Sequence, residues 1–260
     1  MTRVTGEYTR RSARFVAWVR AWRAGLIPYD DVADEIEANE DHVVCEATGP
    51  GPERPLREAL AGLSGLHPDH VRLVLPVPGD PRGLPGPGTP FTGRALACGE
   101  GVIAGPTGLV PEVRTHVSGS GDAFFSVVWW TYPLPPQPPG AEPGTSPAEA
   151  EAELSAALAE ATTRLTALDV AQWRPELAGA LAALRNHDDA GELPPVFNPR
   201  ARRLYARASM LDRLLALADD TSPGGAVNSY EARQRDEALR PLVNACRRAM
   251  VAACNAPVDA

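Results

Sequence analysis

The residues best able to hold a metal ion are His67 and His70, in the run His67-Pro68-Asp69-His70. A structural or catalytic zinc needs three or four ligands, so His42, His116 or a carboxylate would have to be carried in by folding. An HxxH pair in a loop lacks the i, i+4 spacing that sets two ligands on one helix face. A polar surface turn is the better reading, and neither a metal nor a cofactor is expected. Cys246 and Cys254 stand eight residues apart on one expected helix, two turns and too far to share an ion. Cys98, with Glu100 nearby and His116 on a neighbouring expected strand, holds the residue types of a thiol nucleophile and its base. Nothing in the spacing requires them to meet. Ser118-Gly119-Ser120-Gly121-Asp122 looks like a phosphate-cradling loop, but such loops open a helix, and here a strand follows; a hairpin turn is expected.

Two sets of residues could bind something anionic. Residues 78–91 form a long Pro/Gly loop that leaves the end of a strand, and loops of that length inside a domain tend to carry function. Asp80 and Arg82 offer one acceptor and one forked donor there, and Arg94 and His116 complete a candidate ligand-binding set, in a pocket between the sheet and the helical half. The competing reading is a rigid connection that covers a sheet edge. Arg200, Arg203 and Arg207 line one edge of a leucine stripe on a later helix and could meet an acidic protein partner. They could equally pair with carboxylates of adjacent helices.

The elements that must position these residues are legible from periodicity. Phe15, Trp18, Val19 and Trp22 recur at helical spacing over residues 7–24, with Gly25 where a helix C′ residue belongs. This arginine-rich helix faces an acidic segment, residues 30–46, and a helical hairpin turning at Leu26-Ile27-Pro28-Tyr29 would pair the two charges. Residues 43–134 read as a small mixed or antiparallel sheet of four or five strands. Val71 to Leu75 is a strand that Pro76 marks as an edge or as ending there, residues 94–104 are a hairpin turning at Gly99-Glu100 or Gly101, and residues 113–132 are a second hairpin turning at 118–121. Phe124 to Tyr132 is large and apolar on both faces, as a central strand must be. Trp129 and Trp130 belong to that core.

Residues 135–147 are rich in proline and glycine and read as an extended linker. Beyond it, Ser146-Pro147 starts a helix with the stripe Leu154, Leu158, Ala161, Leu165, Leu168. Helices over 175–185, 199–218 and 229–253, the last interrupted by Pro241, complete a helical bundle. The expected organisation is thus α+β over 1–134, a linker, and helices over 148–260.

Composition narrows the function further. The chain has 260 residues and a net charge of −8, and all 25 of its basic residues are arginine, a mark of a GC-rich genome. The acidic balance opposes nonspecific binding to nucleic acid and to anionic membranes. Four cysteines without a CxxC pair suggest small buried hydrophobes in a reducing compartment. No export signal or 18-residue apolar run occurs, so a cytoplasmic location without membrane insertion is expected.

The segments GLIPYDDVADEIEA (25–38), LVLPVPGDPRGLPGPG (73–88) and DVAQWRPEL (169–177) resemble proteins that recur in high-GC actinobacteria and carry no assigned activity. The resemblance implies no site residues. Two expectations stand: a noncatalytic interaction or regulatory protein, and an enzyme or binder of an anionic small molecule with its site under loop 78–91.

Overall fold

A computed structural model of the chain describes residues 10–49, 51–119, 121–136, 144–167, 193–220 and 229–258. It divides into two compact units. One comprises Met1–Gly144, Leu193–Asn198 and Cys254–Ala260, and the other Thr145–Glu192 and Pro199–Ala253.

The first unit is a six-stranded mixed sheet with helices packed on it. Helix α1 (Arg11–Arg23) ends in a Schellman motif: Gly25, at φ 75°, donates to the Trp22 carbonyl and Leu26 to that of Ala21. Helix α2 (Tyr29–Glu37) follows, then β1 (Asp41–Glu46), β2 (Arg54–Pro55), α3 (Leu56–Ala61), a 3-10 turn over Pro68–His70, β3 (Val71–Val74), α4 (Pro90–Cys98), β4 (Gly101–Ala104), β5 (Thr107–Val117) and β6 (Ala123–Pro133). The strand order is β2-β1-β6-β5-β4-β3, with β1 and β6 parallel and the other pairs antiparallel. As its composition requires, β6 is internal and β3 is an edge.

Helix α1 covers one face. Trp129 of β6 is fully buried, its ring 4.9 Å from that of Phe15, and its indole donates to Nδ1 of buried His42 at 3.2 Å. An indole nitrogen can only donate, so His42 accepts at Nδ1 and turns Nε2 toward Glu40 Oε2, 3.4 Å away. Arg11 meets both oxygens of Glu40 at 2.5 and 3.3 Å. Helix α4 covers the other face, where Phe91 and Ala95 pack with Val74, Ile103, Val110, Tyr132 and Leu134. Phe91 lies so close over Gly108 that a Cβ there would meet its ring at 2.4 Å.

Residues 94–98, expected as a strand of a 94–104 hairpin, are instead the second half of α4. The Thr89 side chain accepts from Thr92 N at the N-cap, Pro90 occupies the first helical position, and Gly99 ends the helix at φ 78°. These are helix start and stop signals, and they outweigh the low helix propensity of Thr92 and Gly93. The acidic segment is likewise divided: α2 stops at Glu37, and β1 takes residues 41–46 into the sheet beside β6. The expected pairing of α1 with that segment appears at Arg11–Glu40, whereas Asp34 and Glu37 meet Arg57 of α3.

Arg20, 1 % exposed, joins four stretches of chain. It donates to the carbonyls of Pro68 (2.9 Å), Val71 (3.1 Å) and Ala256 (2.8 Å) and to Asp69 (3.1 Å). Asn255 pairs its side-chain amide with both backbone groups of Leu73, at 2.8 and 3.0 Å, and so serves as a one-residue strand on the open side of β3.

In the second unit, α5 (Pro147–Ala167) begins with a capping box: Ser146 and Glu149 exchange side-chain to backbone bonds at 3.0 and 3.3 Å. Arg200 and Arg207 of α6 (Pro199–Asp220) meet Glu151 and Ser155 of α5 at 2.8 and 3.1 Å. The partners advance together, so α5 and α6 run parallel. Helix α7 spans Ser229–Cys254 and includes Pro241 without a break. The helix expected over 175–185 and most of the 135–147 segment lie outside the described residues. Among the described residues, no helix is long and apolar enough to cross a membrane.

Two predictions concern this core. Burial pushes the Glu40 carboxyl up, but hydrogen bonds from His42 and Arg11 and the Arg11 charge outweigh it and hold the group at about 2. Its stabilising contribution is therefore complete above the ordinary carboxylate pKa and is lost as pH falls toward 2. Urea unfolding of wild type and Glu40→Gln should differ most at pH 6 and converge near pH 2. Arg20→Met leaves several buried carbonyls without a donor and should cost about 3 kcal/mol in the same assay; a change under about 1 kcal/mol would show the contacts to be dispensable.

Candidate functional site

Strand β5 continues past the sheet that flanks it. Thr107, Gly108 and Leu109 pair with β4, but residues 110–117 have only β6 beside them among the described strands. The bonding side of each residue follows from the register. Ala104 and Thr107 close a two-residue turn, and Leu134 N bonds to Pro106 O on the side of β6. Even-numbered residues of β5 therefore direct N–H and C=O toward β6 and odd-numbered ones outward. Pro111 falls on the outward set; it has no N–H, and its carbonyl accepts from the Cys98 thiol at 3.2 Å. Beyond it, Val113, Thr115 and Val117 direct three donors and three acceptors to an edge on which, among the described residues, no strand lies.

The hairpin turn beyond this edge is built as expected. Ser118 N bonds to Asp122 O at 2.9 Å, and the Ser118 hydroxyl accepts from Asp122 N at 3.0 Å. At the tip, Val117 is 70 % exposed and Phe124 50 %, the two large hydrophobic side chains exposed among the described residues.

The polar groups gather on the α4 face. Glu112 accepts from Arg94 of α4 at 2.7 Å, from Arg114 at 3.1 Å and from the Trp130 indole at 3.0 Å. Partial burial pushes its carboxyl up, but the bonds from Arg114 and Trp130 and the two guanidinium charges prevail and hold it below the usual range. Next along the strand, His116 lies 2.7 Å from the Ser126 hydroxyl and stacks on Phe124 at 4.9 Å. One carboxylate is shared by two guanidiniums, and each of them keeps N–H donors beyond the one it spends on Glu112.

Arg94 and His116 of the candidate ligand set thus share one face, although Arg94 reaches it from a helix. Asp80 and Arg82 lie in the loop between β3 and α4 and pair with each other at 3.0 Å. That loop is tied down: Leu84 packs on the α4-side core, and Thr92 donates to the Gly86 carbonyl at 2.7 Å. Arg200 and Arg207 face α5, and Arg203 is exposed. Arg114, Glu112 and the edge residues were missed by sequence reasoning. The signal was the length of the 107–117 run against the short strand before it.

The thiol chemistry weighed for Cys98 is not assembled. Its sulfur bonds to Pro111, Glu100 accepts from Ser12 N at the start of α1 (2.8 Å), and His116 is engaged with Ser126. Cys45, Cys246 and Cys254 are buried as expected, while Cys98 is exposed as a residue with its sulfur turned in against β5. Burial foremost, and then the nearby Glu100 charge, push the Cys98 thiol up to about 11. His67 accepts from Asp69 N to cap the 3-10 turn, and among the described residues no group of three or more His, Cys, Asp or Glu could hold a metal. With so little thiolate at pH 8, the iodoacetamide reaction of Cys98 should run roughly a hundredfold slower than that of free cysteine and accelerate toward pH 11. A rate close to that of free cysteine would refute the sheltered-thiol geometry.

Comparison with known proteins agrees with the resemblance to actinobacterial proteins without assigned activity. Residues 12–143 match the family model described as the Rv1486c-like protein, N-terminal domain, and residues 148–251 match that of its C-terminal domain. The chain is 32 % identical to the uncharacterised protein Rv1486c of Mycobacterium tuberculosis, over 92 % of this chain and 94 % of that one. It is 28 % identical to the uncharacterised protein ML1804 of Mycobacterium leprae, over 94 % and 96 % of the two chains. The uncharacterised protein MAV321 of Mycobacterium avium matches at 30 % over 72 % of this chain and 70 % of its own. No solved structure matches. Matched in both its halves and along nearly its whole length, the chain belongs to the Rv1486c-like protein family.

Proposed function

We propose that the chain is a noncatalytic protein-interaction protein that uses the outer edge and tip of the β5–β6 hairpin to bind a partner by strand addition. The observation that carries this reading is the unpaired edge at Val113, Thr115 and Val117 beside the exposed Val117 and Phe124. An open edge is a template for pairing and aggregation, which proteins ordinarily blunt. Here the neighbouring edges are blunted: β3 by the Asn255 side chain, β5 at Pro111 by its missing N–H and the Cys98 thiol, and β2 by being two residues long. An edge left open among closed ones suits main-chain recognition of an extended segment, in which alternate side chains supply specificity.

The test is photo-crosslinking in cells with p-benzoylphenylalanine in place of Val117. Discrete protein adducts are expected at that position and not at exposed Ala61 of α3. They should disappear with Thr115→Pro, which removes an outward N–H without touching the ladder to β6. Equal labelling at positions 61 and 117, or adducts that persist with Thr115→Pro, would overturn the reading.

A further inference from the structure

We propose, resting on that strand-addition reading, that the segment received by β5 is an extended one bearing acidic side chains that meet Arg94 and Arg114. Side chains alternate along an added strand, so every second residue of a strand lying along 113–117 falls on the α4 face, beside Arg114 and within reach of Arg94. Both guanidiniums are about half exposed, at 42 % and 45 %, and both are directed at Glu112, itself 33 % exposed. Each guanidinium spends one nitrogen on Glu112 and keeps further N–H donors for an incoming carboxylate. The opposite face of the edge carries Val113, Thr115 and Val117, which suits small apolar or β-branched side chains on the alternate positions.

The same geometry argues against a second copy of the chain as the occupant. Two-fold antiparallel pairing centred on Thr115 sets Arg114 opposite the second copy's His116, which brings it no carboxylate, and pairing centred on Arg114 sets two guanidiniums opposite each other. Like charges directly across strands are destabilising. The register that would match Arg114 to Glu112 is centred on Val113 and requires hydrogen bonds at Pro111, which has no N–H and whose carbonyl is taken by Cys98. Self-pairing therefore forgoes either the carboxylate or the ladder.

The experiment uses two end-blocked, fluorescein-labelled peptides of seven residues, alternating valine with glutamate or valine with lysine, titrated with the full chain and followed by anisotropy at low and high salt. The glutamate peptide should bind at least about tenfold more tightly than the lysine peptide at low salt, and the difference should shrink as salt screens it. The double variant Arg94→Gln/Arg114→Gln, altered only at exposed side chains, should weaken glutamate-peptide binding about threefold to tenfold without changing the thermal midpoint by more than a few degrees. Thr115→Pro should abolish binding of both peptides. Equal affinity for the two peptides, lost in Thr115→Pro, would overturn the acidic preference and leave strand addition standing. Binding that is indifferent to Thr115→Pro, or no saturable binding of either peptide, would overturn both. Dimers in sedimentation equilibrium that Thr115→Pro converts to monomers would assign the edge to a second copy and overturn the proposal.

Discussion

Strand β6 carries large apolar groups on both faces, and neither face can be left to water. Trp129 and Val127 turn one way and Val128 and Tyr132 the other, all buried. A strand of this kind must lie inside a sheet with cover above and below, and much of the first unit follows from meeting that demand. Helix α1 lays Phe15 against Trp129 on one side, and α4 brings Phe91 and Ala95 to the other. Strands β1 and β5 flank β6, parallel and antiparallel.

Covering β6 buries polar groups as well, and each has to find a partner. The Trp129 indole would be stranded under α1 without His42, whose other nitrogen then faces Glu40, which Arg11 holds from the start of α1. Arg20 enters the same helix-sheet layer; its two terminal nitrogens are met by backbone carbonyls of the 3-10 turn, β3 and Ala256, while its buried Nε has no partner. Burial disfavours its charge and lowers its pKa, against the opposing charge and hydrogen bond of Asp69. One helix thus organises apolar cover and two polar clusters at once, and this couples the first residues of the domain to residues 255 and 256.

The end of β5 stands outside this logic. From Thr107 to Leu109 the strand is an ordinary internal member of the sheet; from Val113 to Val117 it keeps one neighbour only. Phe124 shelters part of its ring against His116, but Val117 has no such cover, and the backbone beside it offers unpaired donors and acceptors. The family relationship covers both units of the chain and supplies no activity for comparison, so the argument for an interaction surface rests on this local departure from edge protection.

Much of the fold is legible in the sequence because its signals are local. Helix α1 announces itself by the spacing of Phe15, Trp18, Val19 and Trp22 and by Gly25, α5 by Ser146-Pro147 and its leucine stripe, and β6 by the large apolar residues on both its faces, although Phe124 at its start is left exposed. The start and stop of α4 were also written, in Thr89-Pro90 and Gly99, but glycine and threonine inside the helix masked them. What the sequence could not determine depends on residues far apart in the chain. That β1 lies parallel beside β6, that Asn255 closes β3, and that β4 ends where β5 runs on are outcomes of sheet order, and strand pairing leaves no local trace in composition. The open edge is the clearest case: Val113, Thr115 and Val117 read as ordinary strand residues, and only the tertiary structure leaves them without a neighbouring strand among the described residues.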